Sequence, residues 1–294
     1  MNYQHAFHAG NFADVHKHVV LTLVLGYLRA KPAAFRVIDS HAGAGRYDLF
    51  GPQAMRSPEW RDGIARAVAA PELRQGAAAA LLKPYLDVVA AENAARALRV
   101  YPGSPLFAKA LLRPQDRLIA CELEPRAAAS LKNMLRGDTR AKVLAMDGWT
   151  AIKANVPPKE RRGVVLIDPP YEEAVDFARL TEALGDAHRK WPTGIFMLWY
   201  PIKERDAPDA LARRLRRLGV PKVLRSEIAL APAGPDAGLA GSGLIVVNPP
   251  HTLLRDLEIL LPVLIRALSP RAVQRLDWLV GEQQRSVRGV VAKR

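Results

Sequence analysis

The sequence predicts an α/β protein with a mostly parallel, seven-stranded sheet covered by helices. Three observations point there. Short apolar runs alternate with longer amphipathic stretches, as strands joined by helical crossovers do. Several runs are apolar throughout and stop at a polar residue, Gly or Pro, which is how strands buried on both faces read. The 294 residues can build a large core without disulfides or metal. No internal repeat is visible.

The runs place strands at Phe35 to Ser40, Arg117 to Cys121, Lys142 to Met146, Gly163 to Ile167, Gly194 to Tyr200, Leu224 to Leu230 and Gly243 to Asn248. Helical periodicity covers Ala13 to Ala30, Pro125 to Leu135, Trp149 to Asn155, Phe177 to Trp191, Ala207 to Leu218 and Leu253 to Leu268. Residues 52–100 break the alternation. They are Ala-rich and dotted with arginine, with no strand signal, and read as a small helical insertion after the first strand within one domain spanning residues 1–294. The tail beyond Arg285 is polar and basic.

Lys plus Arg number 43 and Asp plus Glu 29, a net charge of +14. Such a surplus attracts polyanions and makes the attraction salt-dependent. Aromatics are only 6%, so base stacking has to be local. One cysteine, Cys121, excludes an intramolecular disulfide and a two-thiolate metal site. The start carries His5, His8 and Asp14 where a signal peptide has an apolar run. The apolar stretch Val19 to Leu28 is half the ~20 residues of a membrane span. The expected compartment is the cytoplasm, with no membrane partner.

Chemistry concentrates at strand ends. Asp39-Ser40-His41-Ala42-Gly43-Ala44-Gly45 follows the first strand. Glycines there let a ligand approach the backbone, in the crevice where open α/β sheets bind ligands. The loop lacks both P-loop and G-x-G-x-x-G spacing, which argues against ATP and NAD. Glu122 ends the next strand, where an acidic residue commonly takes ribose hydroxyls. Glu124 competes as a helix-starting carboxylate. Asp147-Gly148 ends the third strand, beside the place of an adenine ring, with helix capping an equal alternative for Asp147.

Asp168-Pro169-Pro170-Tyr171 follows the strand Val164 to Ile167. Two prolines make a rigid turn without competing N–H donors. The Asp168 carboxylate and the Pro169 carbonyl both face outward as acceptors for the two hydrogens of an exocyclic amine, and Tyr171 offers a flat face to a base. This is the [DNS]-P-P-[YFW] pattern of amino-methyltransferases acting on nucleic-acid bases. Asn248-Pro249-Pro250-His251 imitates it, but His251 is a poorer stacking face, and it reads as a structural turn. Four of the seven histidines, His5, His8, His16 and His18, cluster near the start. Without a nearby cysteine or an H-E-x-x-H pattern they argue weakly for metal, and none is expected. Tyr3, His5 and Lys17 suit a mobile basic-aromatic arm touching RNA. Arg213, Arg214, Arg216 and Arg217 read as the solvent face of a helix.

Taken in order, Tyr3 to Asn11, Lys17-His18, Asp39 to Gly45, Tyr101-Pro102-Gly103-Ser104-Pro105, Asp147-Gly148 and Asp168 to Tyr171 closely resemble the bacterial RlmJ family, 23S ribosomal RNA adenine-N6 methyltransferases that use S-adenosylmethionine. The likeness runs from Met1 to about Pro250. It departs at Phe12, where relatives can carry another histidine. The resemblance implies the Rossmann-like fold of class I methyltransferases with a helical subdomain after the glycine loop. It implies cofactor contacts at His18, His41, Ser104, Glu122, Asp147, Gly148 and Asp168, with Gly43 in the same loop. Asp168 becomes the acceptor for the amine, Tyr3 a contact to RNA, and His5 and Lys17 neighbours of the active site. The expected substrate is an adenine of 23S rRNA, flipped into the pocket and methylated by in-line transfer. A DNA amino-methyltransferase shares the Asp168 motif, a glutamine methyltransferase prefers asparagine in it, and a non-catalytic rRNA-binding assembly factor has no need of it.

Overall fold

The computed structural model describes residues 5–94, 97–172, 175–234 and 238–281. In chain order it contains α1 (Phe12–Arg29), β1 (Arg36–Asp39), β2 (Arg46–Asp48), α2 (Pro52–Arg56), α3 (Ile64–Ala69), α4 (Gly76–Ala91), β3 (Val100–Pro102), α5 (Ser104–Leu111) and β4 (Arg117–Cys121). There follow α6 (Pro125–Met134), β5 (Ala141–Leu144), α7 (Gly148–Asn155), β6 (Gly163–Ile167), α8 (Asp176–Lys190), β7 (Ile195–Ile202), α9 (Asp206–Arg217) and β8 (Val223–Ala229). The described chain ends with β9 (Gly241–Val247), α10 (Leu253–Leu268) and β10 (Val273–Val280).

The large sheet has eight strands in the order β10-β8-β9-β7-β6-β1-β4-β5, one more than the seven expected. The added strand is β10. Among the described residues it pairs only with β8, antiparallel, at the sheet edge. Its sequence, Val-Gln-Arg-Leu-Asp-Trp-Leu-Val, mixes polar and apolar residues because half of it is exposed and only Leu279 is buried. It therefore lacks the continuous apolar run that marks the inner strands. Arg225, only 1% exposed on β8, ties it down by donating from Nε and Nη2 to the Asp277 carboxylate at 2.8 and 2.7 Å.

Successive strand residues point to opposite faces, and the core divides accordingly. Val37, Val164 and Leu166 pack with α1, α4, α5 and α10 in one cluster. Ile38, Val165 and Ile167 pack with α7, α8 and α9 in another. Residues 52–100 supply α2, α3 and α4, and α4 lies against α1 and α10. This segment is bracketed by a short ribbon in which β2 pairs antiparallel with β3, strands too short to register in the sequence pattern.

Strands β1, β4, β5, β6 and β7 run parallel, so their C-terminal ends share one edge. The chain goes from β1 outward to β4 and β5, then returns to β6 on the other side of β1. That reversal opens a crevice at the carboxyl ends of β1 and β6, where such sheets bind ligands. Strand β9 runs antiparallel to β7, with Val247 opposite Phe196. Asn248-Pro249-Pro250 therefore lies at the other edge of the sheet from Asp168.

Candidate active site

A cavity of about 730 Å³ occupies the crevice. The loop after β1 forms its floor. Ser40 donates its backbone N–H and its hydroxyl to Leu166 O on β6, at 3.0 and 2.9 Å. The Ala42 amide donates to Cys121 O on β4 at 2.8 Å. The loop thus bridges the two strands that flank β1. Gly43 has φ +61°, and a Cβ there would sit 2.2 Å from the Tyr47 hydroxyl, so the turn requires glycine. Its amide donates to Glu122 Oε2 at 2.8 Å, while Glu122 Oε1 accepts from the Glu124 amide at 2.8 Å. Glu124 caps α6 through the Arg126 and Ala127 amides. The two acids the sequence left in competition thus hold separate posts.

On the next wall Asp147 caps α7, accepting from the Thr150 amide and hydroxyl at 2.8 and 2.9 Å. It also lines the cavity. A Cβ at Gly148 would stand 2.2 Å from Ser40 O, so glycine lets α7 approach the loop. His41 bonds Ser40 Oγ through Nδ1 at 2.8 Å and meets the Trp149 ring edge-on. Burial pulls its pKa down to about 4, so it is neutral at pH 7.

The opposite wall comes from α1 and the residues before it. Asn11 caps α1 by accepting the Asp14 amide at 2.9 Å. One turn on, Lys17 Nζ donates to Asp14 Oδ1 at 2.9 Å and to Asp168 Oδ2 at short range. Asp14 Oδ2 also takes the Gly10 amide at 2.9 Å and the His5 ring at 3.0 Å. Burial works against both charges. His5 and Lys17 nonetheless hold Asp14 well below the usual carboxylate range, and Asp14 and Asp168 hold Lys17 above the usual lysine range. Lys17 is therefore no arm residue. It is buried in a helix because two carboxylates neutralise it. His18 is neutral, since burial and then Lys17 push its pKa well down. Its Nδ1 lies 2.8 Å from the Tyr101 hydroxyl, and its Nε2 is buried without a partner among the described residues.

Of the residues singled out in the sequence, His5, Lys17, His18, His41, Gly43, Ser104, Glu122, Asp147, Gly148, Asp168 and Pro169 all line this one cavity. Tyr3 lies outside the described residues, as does the tail beyond Arg285. Tyr171 is not part of the lining. Its φ of +53° turns the half-buried ring against Phe177 and Trp199, and its hydroxyl donates to Trp199 O. Among the described residues, no group of three or more His, Cys, Asp and Glu is placed to hold a metal. His8 pairs with Glu59 at 2.8 Å and His16 with two serines. Asn248 is structural, its side-chain amide donating to Pro192 O and Gly194 O at 2.7 and 2.8 Å. Arg213, Arg214, Arg216 and Arg217 are exposed toward the end of α9. That helix returns the chain from the cavity edge to the opposite one.

Two acidic residues received no role of their own in the sequence reading, Asp14 near the start and Asp39 at the head of the glycine loop. Asp14 is spaced i, i+3 from Lys17, a signal present in the sequence. Asp39 ends β1 at 1% exposure. Among the described residues neither of its oxygens has a hydrogen-bond partner. Burial raises its pKa to about 7, moderated by the Ser104 hydroxyl and the His41 amide that face it. A carboxyl that holds its proton more tightly when folded lowers stability as pH rises from ~4 to about 7. Asp39→Asn should remove that dependence. Its melting temperature should exceed that of the wild type at pH 8, by an amount worth up to a few kcal/mol, and match it near pH 4.5. Equal melting temperatures at both pH values would contradict the buried, proton-holding state.

The sequence profile described as "Ribosomal RNA large subunit methyltransferase D, RlmJ" matches residues 32–280. Two proteins named Ribosomal RNA large subunit methyltransferase J are similar over their whole length and 96% of this chain. That of Escherichia coli (strain K12) is 39% identical over 284 residues, and that of Haemophilus influenzae is 36% identical over 285. A crystal structure of a Legionella pneumophila protein superposes with a TM-score of 0.85 at 33% identity, covering 92% of this chain and 98% of that one. With a profile match over most of its length and relatives of this similarity, the chain belongs to the RlmJ family of ribosomal RNA large subunit methyltransferases.

Proposed function

We propose that this protein methylates N6 of an adenine in 23S ribosomal RNA, acting in the cytoplasm on free rRNA or a ribosome precursor. The observation that carries the reading is the Asp168-Pro169-Pro170-Tyr171 turn at the end of β6, opening into the cavity with Lys17 on Asp168. The methyl donor of the family is S-adenosylmethionine, which supplies a methyl group on an already activated sulfonium. The cavity suits it. Glu122 can accept ribose hydroxyls while its position is held by the Gly43 and Glu124 amides. Asp147 and Gly148, which line the same cavity, would take the adenine ring. His18 and Ser104 also line the cavity and would serve the methionine end.

For the substrate, an adenine leaves its stack and enters the recess beside the turn. Lys17 occupies Asp168 Oδ2, which leaves Oδ1 to accept one N6 hydrogen. The Pro169 carbonyl accepts the other. Together they aim the nitrogen lone pair into the cavity, and alignment of this kind supplies much of the rate. Tyr171, packed against Phe177 and Trp199, braces the turn rather than stacking on the base, and His5 and Tyr3 would meet the flanking RNA. The +14 charge supplies phosphate attraction, so affinity should fall steeply with salt.

The test is mass analysis of 23S rRNA fragments from cells with and without the protein. One N6-methyladenine should vanish on deletion and return on incubation with purified protein. Methylation of duplex DNA in preference to rRNA would replace this reading with the DNA one. For the cofactor, Glu122→Ala should weaken binding of S-adenosylhomocysteine by roughly 1.5–3 kcal/mol, the worth of hydrogen bonds to a charged group, as read by calorimetry. Glu122→Gln, which keeps an acceptor for the loop amides, should lose less. Unchanged affinity in both would remove Glu122 from the cofactor site.

A further inference from the structure

Helix α1 carries a buried histidine that methyl transfer does not use. His16 is 0% exposed, and burial lowers its pKa to about 3, so the ring is neutral. Its Nε2 lies 2.9 Å from Ser226 Oγ on β8, and its Nδ1 lies 3.0 Å from Ser242 Oγ on β9. Ser242 Oγ also accepts the indole N–H of Trp199 on β7 at 2.9 Å. An indole can only donate, so Ser242 Oγ is the acceptor of that bond. The neutral His16 ring, which donates from one nitrogen and accepts at the other, links Ser242 to Ser226.

Trp199 stands at the near end of this relay and touches two parts of the catalytic turn's support. Lys17 Nζ, the cation on Asp168, lies 5.7 Å from the centre of the indole. The Tyr171 hydroxyl donates to Trp199 O, and the Tyr171 ring meets the indole edge-on at 5.7 Å and 67°. Rotation of the indole would disturb both neighbours. The N–H bond to Ser242 prevents that rotation in a way that apolar packing alone does not.

We propose that Trp199 is a positioning residue for the catalytic turn, its indole plane set by Ser242 and, behind it, by His16. The proposal rests on the adenine-methyltransferase reading. Ser242→Ala deletes the acceptor. Trp199→Phe deletes the donor while keeping an aromatic face toward Lys17. On a 23S rRNA fragment each should lower kcat about fivefold to tenfold, the size of one positioned hydrogen bond, with cofactor affinity unchanged. The double variant should be no slower than Trp199→Phe, because both changes break one bond. His16→Leu should cost less than Ser242→Ala, since Ser242 still holds the indole. Independent losses that multiply, or lowered melting temperatures with wild-type kcat, would overturn the proposal. Fluorine NMR of protein labelled with 5-fluorotryptophan tests the relay without methyl transfer. The resonance that Trp199→Phe removes should move in Ser242→Ala, and an unmoved resonance also overturns the proposal. Wild-type protein inactive on rRNA would instead defeat the adenine reading, and the resonance would still decide the relay.

Discussion

Asp168→Ala should lower methyl transfer to unmodified 23S rRNA by several orders of magnitude while the protein stays folded. The change removes the acceptor that aligns the amine. One catalytic contact of this kind is commonly worth ~10²–10³ in rate, and proton handling adds to it. Folding should survive because Lys17 keeps its second partner, Asp14 Oδ1, at 2.9 Å, so no buried cation is stranded. Asn248→Ala is the matched control. It loses two hydrogen bonds at a φ of +50°, a cost of about 1–3 kcal/mol in stability, but it sits at the far edge of the sheet. Tritiated methyl incorporation and thermal melting should therefore separate the two variants. A folded, inactive Asn248→Ala beside an active Asp168→Ala would move the chemistry to the other turn.

Lys17→Met should damage both activity and stability. Side-chain exposures of 5% for Lys17, 3% for Asp14 and 15% for Asp168 mean that methionine would leave two carboxylates facing each other with little water. Breaking a buried ion pair on one side costs roughly 3–5 kcal/mol, and rRNA methylation should fall at least ~10²-fold with Asp168 no longer held. The pH dependence follows from the shifts. The lowered pKa of Asp14 contributes stability that is present above its unfolded value and lost as pH falls through the folded one. The raised pKa of Lys17 contributes stability that is present below its unfolded value and lost at still higher pH. Together they operate across roughly pH 5–9. The melting-temperature gap between variant and wild type should be widest near neutrality and shrink toward pH 4, where protonation relieves the repulsion. A gap independent of pH would show that the loss is one of packing and not of charge.

The strand-end chemistry was legible because each piece is local. Continuous apolar runs announce β1, β4 and β6, and the polar or glycine residues after them announce what stands at the crevice. The edge strand β10 was not legible, because a half-exposed strand with one neighbour carries no continuous apolar signal. Lys17 was misplaced for a related reason. A lysine next to histidines near a chain start reads as a solvated arm, and only its approach to Asp168, 151 residues away, makes burial tolerable. Trp199 sits in the run Phe196-Met197-Leu198-Trp199-Tyr200, where an aromatic reads as core until its indole N–H is seen on Ser242.

By itself the sequence determined the α/β class, the glycine loop, the acidic residues at successive strand ends and the Asp-Pro-Pro-Tyr turn, since periodicity and turn chemistry act over a few residues. Tertiary structure set the two Pro-Pro turns at opposite edges of the sheet. Both follow apolar strands of similar composition, and strand direction is not written in composition. It depends on pairing, and β9 pairs antiparallel to β7, which carries Asn248 to the edge opposite the cavity. The same long-range pairing decided the charge states of the site. Asp14, Lys17 and Asp168 become one buried network only when α1 is packed against the end of β6, and a pKa belongs to that surrounding and not to the residue alone.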